Sequence, residues 1–214
     1  MENEKLDKKE NILNVAEKLF AELGFDGAST RAISKAASVN MAMLNYYFGS
    51  KEGLFVAVFE RRVSSYRMLL KNINNEQISS WEKLQKCIDF YIDSIVSNTC
   101  FYKLIHRELE LSQRSALTKK VIDILLANVL EVKKIIEDGM NNGSFYKNAD
   151  VEMTIASIFG TKYYILNSPH LSSSFLGKDV QDKQFINEEL KPRMKSHLKN
   201  LLKAYLIFNH DKKD

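Results

Sequence analysis

At 214 residues, 45% hydrophobic and 27% charged, the chain has the length and balance of one or two domains with a real apolar core, and two prolines with eight glycines are too few for the turns of an all-β fold. No apolar run nears the roughly 20 residues of a membrane span, and the charged stretch Met1–Glu10 has no signal-peptide core, so the sequence reads as cytosolic with no membrane partner. A formal net charge of +4 permits nucleic-acid binding without demanding it, and the N-terminal region carries both signs rather than a basic surplus.

In chain order, the first expected helix covers Lys8–Leu23. Ile12, Leu13, Ala16, Leu19, Phe20 and Leu23 recur at helical spacing, Asp7 and Glu10 resemble a capping box, and Gly24 reads as a left-handed C-cap. Ser29 or Thr30 then caps a short helix reaching Ala37, with Ala32, Ile33, Ala36 and Ala37 inward. Ser38-Val39-Asn40 is a tight connection to a second short helix, Met41–Tyr47, which Gly49 and Ser50 break. Ser50 caps a longer helix, Lys51–Leu70, with an apolar stripe through Leu54, Phe55, Val58, Phe59 and Val63. The Asn-rich stretch Lys71–Ile78 reads as a loop. Ser79 with Glu82 makes a capping box for a helix to Ser97, and further helices are expected over Thr99–Leu111 and Ala116–Asn141. Gly143 ends the latter. Asp150 starts another helix that Pro169 terminates, residues 170–187 read as irregular, and a final helix begins near Pro192. The fold class is all-α. Cys87 and Cys100 lie in apolar-periodic stretches and read as buried free thiols.

Two short helices joined by a tight turn, after a longer helix, describe a helix-turn-helix. The stretch Ile12–Phe59 resembles the DNA-binding domain of the tetracycline-repressor (TetR/AcrR) family. The resemblance is carried by Ile12-Leu13, Ala16 and Leu19-Phe20, by Gly24-Phe25, and by Ser29-Thr30-Arg31 with Ile33. Ala36-Ala37, Val39, Leu44, Tyr46-Tyr47-Phe48, Ser50-Lys51-Glu52 and Leu54-Phe55 complete it. It implies a helix-turn-helix DNA-binding domain over 1–50, packed on the start of helix 51–70, and a helical effector-binding and dimerisation domain over 51–214. Thr30 and Arg31 would contact phosphate, and Met41–Tyr47, including Ala42, would enter the major groove. Asn45 would pair with adenine, Tyr46 and Tyr47 would meet phosphates or sugars, and Lys51 would offer a point charge to a phosphate. Asn40 either caps the recognition helix or joins the DNA contact. Tyr47 either faces DNA or packs inward.

Two positions depart from the family pattern. Ser38 stands where relatives often have glycine in the turn. Met41-Ala42-Met43 stands where they often have Lys-Gly-Thr, which removes a charge and points to apolar contact with thymine methyls or a less electrostatic interface.

The resemblance further implies a homodimer on a palindromic double-stranded DNA operator and an unidentified small-molecule effector, with repression as the family's usual mode. The last two long helices would pair with their copies, using Ile155, Phe159, Gly160, Tyr163, Leu198, Leu202 and Tyr205. Tyr66, Tyr91, Phe101, Tyr102, His106 and Phe159 are candidates to line a pocket for an apolar or aromatic effector, although aromatic residues at helical spacing are more often core. No cofactor or metal is expected. No histidine lies three residues after a Glu, and no P-loop, dinucleotide-binding glycine pattern or nucleophile elbow occurs, which argues against an enzyme. A helical protein-interaction module is the alternative, but it leaves exposed Tyr, Asn and Thr beside Lys51 unexplained.

Overall fold

The computed structural model describes the backbone of residues 2–94, 101, 104–105 and 115–207, and every regular element among them is helical. Helix α1 spans Glu2–Gly27, starting earlier than expected because Glu2–Asp7 contains no helix breaker. Gly24 interrupts it with φ 75° and ψ 174°. That conformation is open to glycine alone and is more extended than the left-handed cap expected. One further turn follows, closed by the Ala28 N–H donating to the Gly24 carbonyl at 3.1 Å. The bend sets Phe25 against Phe20 and Phe55, with ring centroids 6.0 and 5.1 Å away.

Helix α2, Thr30–Ala36, is capped by Ser29, whose hydroxyl accepts from the Ala32 N–H at 3.1 Å. Its inward residues are Ile33 and Ser34 with Ala37 behind them. Ala32 and Ala36, expected inward, face solvent, because a helix of seven residues has one buried side and Ile33 takes it. Ser38 has φ 54°, a left-handed residue without glycine's freedom, at a cost of about 1 kcal/mol. Helix α3, Met41–Phe48, is capped by Asn40 and ends at Gly49. Helix α4, Lys51–Asn75, starts on Ser50, whose hydroxyl accepts from the Gly53 N–H at 3.0 Å. A Cβ on Gly53 would lie 2.1 Å from the Phe48 carbonyl oxygen, so only glycine lets the start of α4 close on the end of α3.

Helix α4 continues through the first half of the stretch read as a loop. Leu70 and Ile73 are buried one turn apart, and their packing overrides the weak helix preference of the asparagines around them. Helix α5, Ser80–Asp93, carries the expected capping box between Ser79 and Glu82. Of the helix expected over Thr99–Leu111, only Phe101, Leu104 and Ile105 are described, and these are helical. Helix α6 is Ser115–Asn141 and α7 is Val151–Asn167, capped by Asp150. Residues 170–187 are irregular only over 177–182. Pro169 opens helix α8, Pro169–Leu176, because the first helical position needs no N–H and suits proline's fixed φ. A short turn, α9, Lys183–Phe185, passes through a π-helical segment, Ile186–Leu190, into α10, Lys191–Leu206.

The chain divides into two compact units, Met1–Tyr66 with Asn98–Leu126, and Arg67–Ser97 with Ala127–Asp214. The first holds α1 to α3 around Ile12, Ala16, Phe20, Ile33, Leu44, Leu54, Phe55, Val58 and Phe59. A buried ionic cluster joins α1 to α4. Glu17, 4% exposed, accepts from Arg61 Nη2 at 2.7 Å and from Arg62 Nε and Nη2 at 2.8 and 2.9 Å. Arg61 also donates to Glu10 and Asn14 on the same side of α1.

In the second unit, α5 and α10 run antiparallel. Lys195 pairs with Asp93 and Lys199 with Asp89, each at 2.7 Å, so the numbers rise on one helix as they fall on the other. The core there includes Leu84, Ile88, Ile92, Ile136, Ile158, Leu198, Leu202 and Leu206. Cys87 sits in it as a buried free thiol, pushed up to about 12 by burial. Cys100 lies outside the described residues.

Candidate nucleic-acid interface

Leu44 fixes the orientation of α3. It is fully buried, and Tyr47 and Phe48 on the same side are half-buried against the first unit's core. The opposite strip then has to face outward. It consists of Met41, Ala42, Asn45 and Tyr46, of which Met41 is 38% and Tyr46 75% exposed. An exposed large aromatic on a short, well-capped helix has no folding role and is available to a partner. No residue of α3 carries a formal charge at neutral pH.

Asn40 takes its capping role, its Oδ1 accepting from the Met43 N–H at 2.8 Å. Tyr47 packs inward and edges against Tyr46, with centroids 5.3 Å apart. The Ser34 hydroxyl donates to the Arg31 carbonyl at 3.1 Å, and its oxygen lies against the Met41 Sδ at 3.3 Å. Thr30 is half-buried at the first position of α2, and Arg31 is exposed beside it. Lys51 opens α4 with its ammonium 4.6 Å from the centre of the Phe25 ring and 3.3 Å from the Asp26 carbonyl, so its charge has a fixed place. Next to it, the Glu52 carboxyl is held below the usual range by its own backbone N–H and by Ser50.

The other predicted sites are divided between the units. Tyr91 and Phe159 meet edge to face at 4.7 Å, and the Tyr91 hydroxyl donates to the Phe159 carbonyl at 3.2 Å. Phe101 instead packs on Phe59 at 5.2 Å in the core of the first unit, and Tyr66, half-buried, is not among the residues of that core. Tyr102 and His106 lie outside the described residues. A polar cleft of about 510 Å³ opens beside Ser79, Ser80, Lys83, Asp138 and Asn142, and none of the aromatic candidates lines it.

Of the expected dimer residues, Gly160 and Tyr163 are exposed, Phe159 is half-buried and Ile155 is buried. Leu198 and Leu202 are not at the surface: Leu202 is 2% exposed and both pack in the second unit's own core. Tyr205 is also engaged, its hydroxyl accepting from the Asp150 N–H at 2.8 Å. The exposed apolar residue of α10 is Leu201.

Two features escaped the sequence reading. One is the Glu17–Arg61–Arg62 cluster. The other is Lys162, 2% exposed, which takes an apolar position in the spacing Ile155–Ile158–Lys162. Its ammonium donates to the Tyr91 carbonyl at 3.2 Å and to Ser94 Oγ at 2.9 Å, at the C-terminal end of α5. A hydrogen-bond donor belongs there, because the last carbonyls of a helix lack intrahelical donors. Burial, with the charge of Lys191 adding to it, pushes Lys162 down to about 6.

Residues 12–58 match the family described as bacterial regulatory proteins, tetR family, and residues 81–192 match the tetracyclin repressor-like C-terminal domain. The chain belongs to the tetR family. Among its relatives, the HTH-type transcriptional repressor NicS of Pseudomonas putida is 30% identical over 179 residues, covering 82% of this chain and 84% of that one. The fatty acid metabolism regulator protein of Bacillus subtilis is 24% identical over 159 residues, 74% of this chain and 81% of its own. The structure of FadR from Bacillus subtilis in complex with stearoyl-CoA shares the fold, with a TM-score of 0.68 at 21% identity over 88% of this chain and 96% of that one. As a tetR-family member the protein is a DNA-binding transcriptional regulator. No helix among the described residues is long and apolar enough to cross a membrane.

Proposed function

We propose that the protein is a cytosolic homodimeric repressor that leaves a pseudo-palindromic operator when a small, largely apolar molecule binds its C-terminal region. In this reading residues 1–50 read DNA and residues 51–214 bind the effector and dimerise. The observation that carries the DNA-reading part is the outward strip of α3, which holds Met41, Ala42, Asn45 and Tyr46 clear of the core on a helix capped at its start by Asn40. Thr30, Arg31 and Lys51 flank it and would set its register on phosphates. Repression is supported by the name of the NicS relative. An effector with an apolar body is supported by the relative named for fatty acid metabolism and by the stearoyl-CoA bound in the FadR structure. The Tyr91–Phe159 pair supplies apolar surface suited to such a ligand.

Self-association is supported by an uncovered apolar face on two helices of the second unit that touch each other. Met153, Gly160, Tyr163 and Tyr164 of α7 and Leu201 of α10 all face solvent in the single chain. A Cβ at Gly160 would meet nothing within 4 Å, which leaves room for a second backbone to approach. Two copies related by a two-fold axis would present two recognition helices to two half-sites.

The test is selection of bound sites from random DNA with the full chain, alongside light scattering. Enrichment of a two-fold pseudo-palindrome by a dimer is expected. Absence of any enriched sequence, or a monomer both with and without DNA, would falsify the reading.

A further inference from the structure

We infer that Met41 reads thymine through its 5-methyl group, with Ser34 as the residue that positions it, an inference that rests on the DNA-reading role of α3 proposed above. A recognition strip without charge has few ways to tell base pairs apart. Asn45 has an amide that can pair with the adenine edge, whereas Met41 and Ala42 present only apolar atoms. In the major groove the one apolar group on any base edge is the thymine methyl. Cytosine offers only a C5–H there, beside its N4 amino donor, and the purines present N7 with O6 or N6, polar atoms that an apolar side chain desolvates without pairing. Met41 therefore selects twice, by burying a methyl group where thymine stands and by desolvating a polar edge where it does not.

The side chain is built for this rather than left mobile. Methionine has three rotatable bonds and ordinarily gives poor geometric discrimination. Here the Ser34 hydroxyl, on a residue only 5% exposed and donating its proton to the Arg31 carbonyl, packs its oxygen 3.3 Å from Sδ and limits where the thioether can sit on the α2 side of the turn. The rest of Met41 remains open to a partner, being 38% exposed. Asn45 stands one helical turn further along the same helix, so the two residues address different bases of one half-site.

Replacing single thymines of the selected operator by deoxyuridine removes the methyl and nothing else. With the full chain, one thymine per half-site should prove sensitive, losing about fourfold in affinity when replaced and roughly 15-fold when both half-sites are changed. In Met41→Ala the same replacement should have no effect at that position. Alanine is a better helix former at this exposed first turn, so folding is preserved. Ser34→Ala should narrow the thymine-to-uracil ratio, a readout that a purely structural role for Ser34 would leave untouched. The inference is overturned if deoxyuridine at every position leaves affinity within twofold of the thymine operator, or if the sensitivity persists undiminished in Met41→Ala. If selection yields no enriched sequence, the regulator reading falls and takes this inference with it.

Discussion

Replacing Lys162 by methionine should convert a pH-dependent fold into a less dependent one. Methionine keeps most of the length and packing of the lysine stem while removing the ammonium. Neither acceptor is orphaned by the change, because the Tyr91 carbonyl also accepts from Ser94 Oγ at 2.6 Å. In the folded chain Lys162 loses its proton near pH 6, and in the unfolded chain near the ordinary lysine value of 10.5. Between those values the unfolded state holds the extra proton, so stability rises with pH. From pH 6.5 to 9.5 the wild type should gain about 4 kcal/mol relative to Lys162→Met, three pH units at about 1.4 kcal/mol each. Every other titrating group is common to both proteins and drops out of the difference. Urea unfolding followed by circular dichroism at the two pH values measures it, with the variant the more stable at the lower pH. A wild-type minus variant difference that stays constant within about 1 kcal/mol across this range would refute the reasoning.

Four further outcomes are expected. Gly53→Ala should destabilise the protein by roughly 1–3 kcal/mol and weaken operator binding, since its Cβ meets a backbone oxygen at 2.1 Å and α3 or α4 must shift; thermal unfolding and gel shift check both. Glu17→Gln, which replaces the most deeply buried member of the cluster by a neutral amide while Arg62 stays partly in solvent and Arg61 keeps Glu10, should cost about 1–2 kcal/mol in denaturant unfolding. Leu201→Glu should dissociate the dimer and leave each chain folded, whereas Leu202→Glu should unfold the second unit, a contrast that light scattering and circular dichroism separate. Asn45→Ala should relax base preference at particular positions by about 1–3 kcal/mol, while Lys51→Ala should weaken all DNA alike and lower the salt slope by about 1, both read from binding titrations at several salt concentrations.

Local chemistry was the legible part of the chain. Caps depend on one side chain and the next turn: Ser50, Ser79 and Asp150 stand as expected, Ser29 rather than Thr30 caps α2, and Asn40 takes the capping alternative, whereas the box expected at Asp7 is lost because α1 already starts at Glu2. The orientation of α3 was legible for the same reason, since the burial of Leu44 and the half-burial of Phe48 four residues on follow helical period. What failed depended on distant partners. The apolar face of α10 announces that Leu198 and Leu202 are buried but not by what, and the answer is this chain's own core rather than a second copy. Ile73 keeps α4 helical through asparagines because of packing that no local window contains. Pro169 carries the same signal whether it ends one helix or opens another. Lys162 caps a helix end some seventy residues earlier in the chain, and nothing near it in sequence marks that role.

The uncharged strip of α3 bears on how the protein divides its time over a genome. Non-specific adhesion to DNA comes from cations that displace counterions, and its strength grows with their number. A reading helix with no cation, on a head whose lysines and arginines are matched by acids, adheres feebly to arbitrary sequence. The millions of irrelevant sites that sequester strongly basic regulators then withhold fewer copies of this one. Promoter occupancy is set mainly by the free dimer concentration and the quality of the two half-sites.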